Sequence, residues 1–205
     1  MGIQRKLFTN SIICFIILGT VFPLSAQNIS ITSIKTAKDR TVSGEFNETA
    51  EIIANNSIKI RGIRFSKSGE KLRFKLPEYI SSKGRVYPQV RLLNKEAEQV
   101  LIEALETGEP GSVYVSKHSF RLGQFRLLDT PSSLKALARV VFDDALEIEC
   151  KIFEGENGLW VSWPSQQNPK SGRWKKLVDI TDYKLRESVE RALLDKYRAL
   201  RSMDK

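Results

Sequence analysis

The sequence predicts an α+β fold: two similar units, each an antiparallel β-sheet of three to four strands with a C-terminal amphipathic helix packed on it. Three observations predict it. Two segments alternate apolar and polar residues with period two around a polar turn, each closes on a proline, and each is followed by an apolar stripe at helical spacing. A hairpin alone cannot bury its apolar face, so a helix must cover the sheet.

The first hairpin occupies residues 58–77. Apolar residues fall at Ile58, Ile60, Ile63 and Phe65, residues 66–69 (Ser-Lys-Ser-Gly) make the turn, and Leu72, Phe74 and Leu76 return before Pro77. The second occupies residues 145–164. Leu146, Ile148, Cys150 and Ile152 alternate, residues 154–158 turn with an Asn157-Gly158 pair, and Leu159, Val161 and Trp163 return before Pro164. The two prolines lie 87 residues apart. Proline suits a strand end because it has no N–H to give the ladder.

The helices repeat as well. Residues 94–107 place Ala97, Val100, Leu101, Ala104 and Leu105 on one face, with Asn94 as N-cap and Gly108 as stop. In the second copy Asp182 caps a helix whose stripe is Leu185, Val189, Ala192 and Leu193. The breaker-rich residues 109–112 set the boundary. The predicted organisation is therefore residues 27–108, a linker at 109–118, and residues 119–201.

Before these units lies a targeting segment. Arg5 and Lys6 precede an apolar run over residues 12–22 that ends in Leu24-Ser25-Ala26, which reads as a signal peptide spanning residues 1–26. The run is shorter than the roughly 20 residues that cross a bilayer, so no stable membrane span is expected after processing. An uncleaved N-terminal anchor is the alternative. The mature chain is thus expected to be exported, periplasmic or extracellular.

Cleavage would remove two of the 33 basic residues and none of the 24 acidic ones, lowering the formal net charge from +9 to +7. It would also remove Cys14, leaving Cys150 without a disulfide partner. The core must then hold the fold unaided, and Cys150 reads as a small buried strand residue.

The second copy resembles the SpoVG family, on Phe142-Asp143-Asp144, Asn157-Gly158-Leu159, Pro164-Ser165 and Pro169 across about residues 120–200. The first copy, about residues 28–108, has the same skeleton with most of those residues replaced. The resemblance implies dimer-forming, nucleic-acid-binding regulators associated with septation and envelope control, and it implies no catalysis. Two copies in one chain suggest an intrachain pseudo-dimer, or else a homodimer. Where the family carries basic residues after its Pro-Ser pair, this chain has Gln166, Gln167 and Asn168.

No catalytic, metal or cofactor site is expected. His118 is the single histidine and falls beside the linker, where it reads as an exposed loop residue. No zinc-ligand spacing, Walker loop or dinucleotide loop occurs. Asp143 and Asp144 read as turn residues. The candidate binding surface combines Trp160 and Trp174 with Lys170, Arg173, Lys175 and Lys176, because rings and cations together suit bases, sugars or lipid head groups. Arg61, Arg64, Arg73 and Lys75 of the first hairpin extend it, with a solvated strand face as the plainer reading. Expected partners are an envelope protein or anionic polymer, or nucleic acid.

Overall fold

The computed structural model describes residues 29–38, 45–68, 71–111, 118–168 and 171–203. The proposed signal peptide, most of the linker, and Lys170 and Pro169 lie outside these residues.

The fold is α+β, with antiparallel sheets and two helices, and one series of elements runs twice. The first half carries β1 (Ile31–Lys38), β2 (Glu48–Ala54), β3 (Ile58–Ser68), β4 (Lys71–Lys75), β5 (Glu78–Ile80), β6 (Val86–Pro88), β7 (Val90–Leu92) and α1 (Lys95–Thr107). The second carries β8 (Phe120–Leu127), β9 (Leu134–Phe142), β10 (Leu146–Gly155), β11 (Gly158–Ser162), β12 (Ser165–Gln167), β13 (Trp174–Lys176), β14 (Val178–Ile180) and α2 (Tyr183–Met203).

Each main sheet has five strands, not three to four, because each half lends one strand to the other. β14 pairs antiparallel with β3, setting Val178 opposite Ile60 and Ile180 opposite Ile58. Reciprocally, β7 pairs with β10, setting Val90 opposite Ile148 and Leu92 opposite Leu146. The turn before each exchanged strand is tied down in the same way: Arg61 N donates to Leu177 O at 2.7 Å, and Glu149 N donates to Gln89 O at 2.9 Å. The prolines explain where the chain departs. Pro77 and Pro164 each lie two residues past the end of β4 and β11, after which a short arm (β5–β6 or β12–β13) precedes the crossing.

After crossing, each helix returns to its own half. α1 packs on β1, while α2 packs on β8, β9 and β11, and each also touches the exchanged strand before it. The caps form as the residue types dictate, with Ala97 N donating to Asn94 Oδ1 at 2.8 Å and Leu185 N to Asp182 Oδ1 at 3.0 Å. Gly108 takes a left-handed φ of 74° and closes α1 onto Ala104 O. Ala97, Leu101, Ala104 and Leu105 are buried on α1, and Leu185, Val189, Leu193 and Tyr197 on α2. Tyr197 extends the second stripe one turn beyond the sequence reading. Buried apolar residues of both halves form one continuous cluster.

One irregularity in the sequence is a structural device. The apolar phase of the first hairpin jumps from Ile58 and Ile60 to Ile63 and Phe65, and the ladder shifts register there, with Ala50 opposite Ile63 and Glu51 opposite Arg61. Gly62 is the extra residue, with φ of 77° and a Cβ position only 3.2 Å from Leu177 Cδ2. It is a glycine bulge that keeps all four apolar residues on the core side, and it lies against the residue before the exchanged strand.

Candidate functional site

The crossing of the halves is built around two hairpin turns. Asn55-Asn56 and Asp143-Asp144 all have positive φ, as the central residues of a type I′ turn require, and asparagine and aspartate tolerate that conformation best among residues other than glycine. The turn reading of Asp143-Asp144 is thus matched, and the turns also bind each other. Asn55 Nδ2 donates to Asp143 Oδ2 at 2.7 Å. Asp143 Oδ1 also accepts from Ser119 N at 2.7 Å and Ser119 Oγ at 3.2 Å, while Asn55 Oδ1 accepts from Ser30 N at 2.6 Å.

His118 belongs to this junction, which corrects its reading as an exposed loop residue. Its side chain is largely buried, with Nε2 2.7 Å from Ser57 Oγ and Nδ1 3.4 Å from Asp143 Oδ2. The tautomer protonated on Nδ1 satisfies both contacts, donating to Asp143 and accepting the Ser57 hydroxyl. The order Ser-His-Asp matches a nucleophile relay, but Ser57 is only 3% exposed and its carbonyl is held by Thr181 N and Oγ1. In this conformation the array ties Ser57 of one half to His118 and Asp143 of the other and presents no hydroxyl to a substrate. Among the described residues, no group of three or more His, Cys, Asp and Glu side chains is placed to hold a metal.

The predicted surface residues separate into two sets. Trp174, Lys175 and Arg173 are exposed on or beside the β12–β13 arm, Trp174 to 69%, and no acidic partner meets Arg173 or Lys175 among the described residues. Lys176 continues that arm and pairs with Asp179 at 3.2 Å. The crossing of β14 brings the arm to the first hairpin, where Arg61 Nη1 lies 3.4 Å from Lys176 O. The first-hairpin cations have carboxylate partners: Arg61 meets Glu51 at 2.7 Å, Lys75 and Arg64 share Glu78 at 2.7 and 3.6 Å, and Arg73 meets Glu45.

Trp160 lies apart from this group, on the outer face of the second sheet. It is 45% exposed and stacks on its cross-strand neighbour Phe153 with ring centroids 5.5 Å apart. Trp163 faces inward, as its phase requires, and donates Nε1–H to Glu190 at 2.8 Å.

Missed by the sequence reading is the β5–β6 arm, whose strands are only three residues long and carry little period-two signal. Tyr79, Ile80, Val86 and Tyr87 are all large, apolar and 42 to 56% exposed. Tyr79 and Tyr87 pair across the strands with centroids 6.2 Å apart. The corresponding positions of the other arm are Gln166, Gln167, Trp174 and Lys175. Two arms with the same place in the fold thus present different chemistry, one a tyrosine pair with aliphatic neighbours, the other glutamines and a lysine with a single tryptophan.

Cys150 is buried and free. Burial first, then the nearby carboxylates Glu149 and Glu190, push its thiol above the ordinary range. A thiol reagent at pH 8 should therefore leave Cys150 unmodified in the folded protein and react at once after denaturation, as read by intact mass.

Comparison with known proteins places this geometry in context. The SpoVG family model matches residues 124–199. The chain is 31% identical over 78 residues to the putative septation protein SpoVG of Caldicellulosiruptor saccharolyticus, covering 38% of this chain and 88% of that protein. It is 29% identical over 82 residues to the putative septation protein SpoVG of Clostridium perfringens, covering 40% and 90%. To that of Finegoldia magna it is 35% identical over 75 residues, covering 36% and 68%.

Proposed function

This chain belongs to the SpoVG family, and from that premise we propose that it is a septation-linked protein that acts by binding, without catalysis, on a polymer or protein of the cell envelope after export. The observation that carries this reading is the ion pairing of the first-hairpin cations. A surface that tracks phosphates needs cations available to them, yet Arg61, Arg64, Arg73 and Lys75 all have carboxylate partners. The replacement of basic residues after the Pro-Ser pair by Gln166, Gln167 and Asn168 supports the same reading. The exchanged strands support an intrachain pseudo-dimer, in which one chain supplies both members of the pair that the family resemblance implies.

Nucleic-acid binding is the second reading, favoured by one feature. Arg173, Trp174 and Lys175 are adjacent and exposed, an arrangement that suits stacking a base between phosphate contacts. Salt separates the two. Cosedimentation of the protein with isolated envelope polymer should persist from 50 to 200 mM salt, whereas binding to a single-stranded oligonucleotide through several phosphates would fall by an order of magnitude or more over that range. Recovery of unprocessed chain with cytosolic nucleic acid, and none with the envelope, would overturn the envelope reading.

A further inference from the structure

The β5–β6 arm of the first half lies over the outer face of the second sheet, and a groove of about 500 Å³ runs between them. Tyr79 and Tyr87 line it from the arm, while Gln124, Arg126, Arg139 and Lys151 line it from β8, β9 and β10. Lys151 Nζ sits 5.3 Å from the centre of the Tyr79 ring, so the tyrosine pair faces the sheet rather than away from it. The volume is within the range of ligand sites, roughly 300 to 1,000 Å³. Both halves of the chain are needed to form it.

We infer that this groove binds a carboxylated glycan strand, an inference that rests on the envelope reading and names the polymer class. The chemistry favours this occupant in three ways. Paired aromatic rings form a platform for the C–H faces of pyranose rings, as they do for any flat apolar face. Arg126 and Lys151 offer a guanidinium and an ammonium group to widely spaced carboxylates. Gln124 supplies both an amide donor and an acceptor for hydroxyl or acetamido groups.

Glu149 decides against a denser polyanion. Its carboxylate lies in the groove, 3.6 Å from Arg139, and Arg139 also contacts Glu147 at 2.8 Å. Arg139 is therefore already neutralised, leaving Arg126 and Lys151 as the effective cations. Two cations beside an acid fit a polymer with one carboxylate per sugar repeat better than one with a phosphate on every nucleotide. The corresponding arm, with Gln166 and Lys175 in place of Tyr79 and Tyr87, builds no equivalent ring pair.

Titration calorimetry of the full chain with solubilised, carboxylate-bearing peptidoglycan glycan strands tests the inference, with a twenty-residue oligothymidine as the contrasting probe. Arg126→Gln removes an exposed cation and Tyr79→Ala a half-exposed ring; each should weaken glycan binding about tenfold or more with the unfolding midpoint of Arg126→Gln unchanged. Met203→Ala, an exposed side chain at the end of α2 and outside the groove, should bind glycan like the parent, and oligothymidine should not compete. Glycan binding untouched by Arg126→Gln and Tyr79→Ala but lost in Trp174→Ala would overturn the groove while leaving the envelope reading in place. Absence of glycan binding would overturn the groove inference, and if oligothymidine then bound in a manner sensitive to Arg126→Gln, the envelope reading would fall with it.

Discussion

Val178→Asp should unfold both halves of the protein together. Val178 has no exposed surface, and its strand β14 belongs by sequence to the second half but by pairing to the first sheet, opposite Ile60. A carboxylate there must be buried without a partner or pulled out with the strand, at a cost on the order of 4 kcal/mol or more. Because a domain is stable by only about 5 to 15 kcal/mol, a large part of that margin disappears. The loss should appear in guanidinium titration as a lower midpoint, and amide exchange should quicken in β9 and β10 as well as in β2 and β3. Asp179→Ala, one residue away and half-buried, is the control. It removes a partly exposed ion pair with Lys176 and should change stability by less than about 1 kcal/mol.

Asp143→Ala should be the second most damaging change, at about 3 kcal/mol, although aspartate in a turn is ordinarily replaceable. Its carboxylate accepts from Ser119 N, Ser119 Oγ and Asn55 Nδ2, and faces His118. Removing the acceptor leaves donors without partners at the junction, at roughly 1 to 3 kcal/mol for a buried group. Alanine would also hold a φ of 49°, which costs a residue with a Cβ about 1 kcal/mol. Asp143→Asn keeps the backbone preference and one acceptor, so it should lose about half as much. Urea midpoints of the two variants at one pH measure the difference.

How far the sequence reveals this molecule depends on the range of each interaction. The hairpins were legible because alternation is local, and the helices because Asn94, Gly108 and Asp182 act within one turn of their own position. The phase jump at Gly62 was visible, but its meaning as a bulge needed the pairing of Glu51 with Arg61. The exchange of β7 and β14 left no local mark, since Val90–Leu92 and Val178–Ile180 are three-residue strands whose partners lie in the other half. Chemistry that depends on the exchange was hidden with it. His118 looked like a linker residue because Ser57 and Asp143 are 61 and 25 residues away.

The candidate surface was legible in composition and not in pairing. Trp160 and Trp174 are exposed and Trp163 is inward, as strand phase indicates. Nothing in the order of residues showed that Arg64 and Lys75 would share Glu78, or that Arg73 would meet Glu45. Tyr79 and Tyr87 each read in the sequence as an isolated aromatic near a proline, and only the register of β5 against β6 makes them a pair.

The shared core, the junction at Asp143 and the groove beneath the tyrosine arm all depend on reciprocal strand exchange between the halves. Differential scanning calorimetry of the full chain tests that exchange. A single transition whose calorimetric and van't Hoff enthalpies agree is the predicted result, since neither sheet is complete without the other half. Two separable transitions, with the residues of one half melting while the other keeps its amide protection, would contradict it.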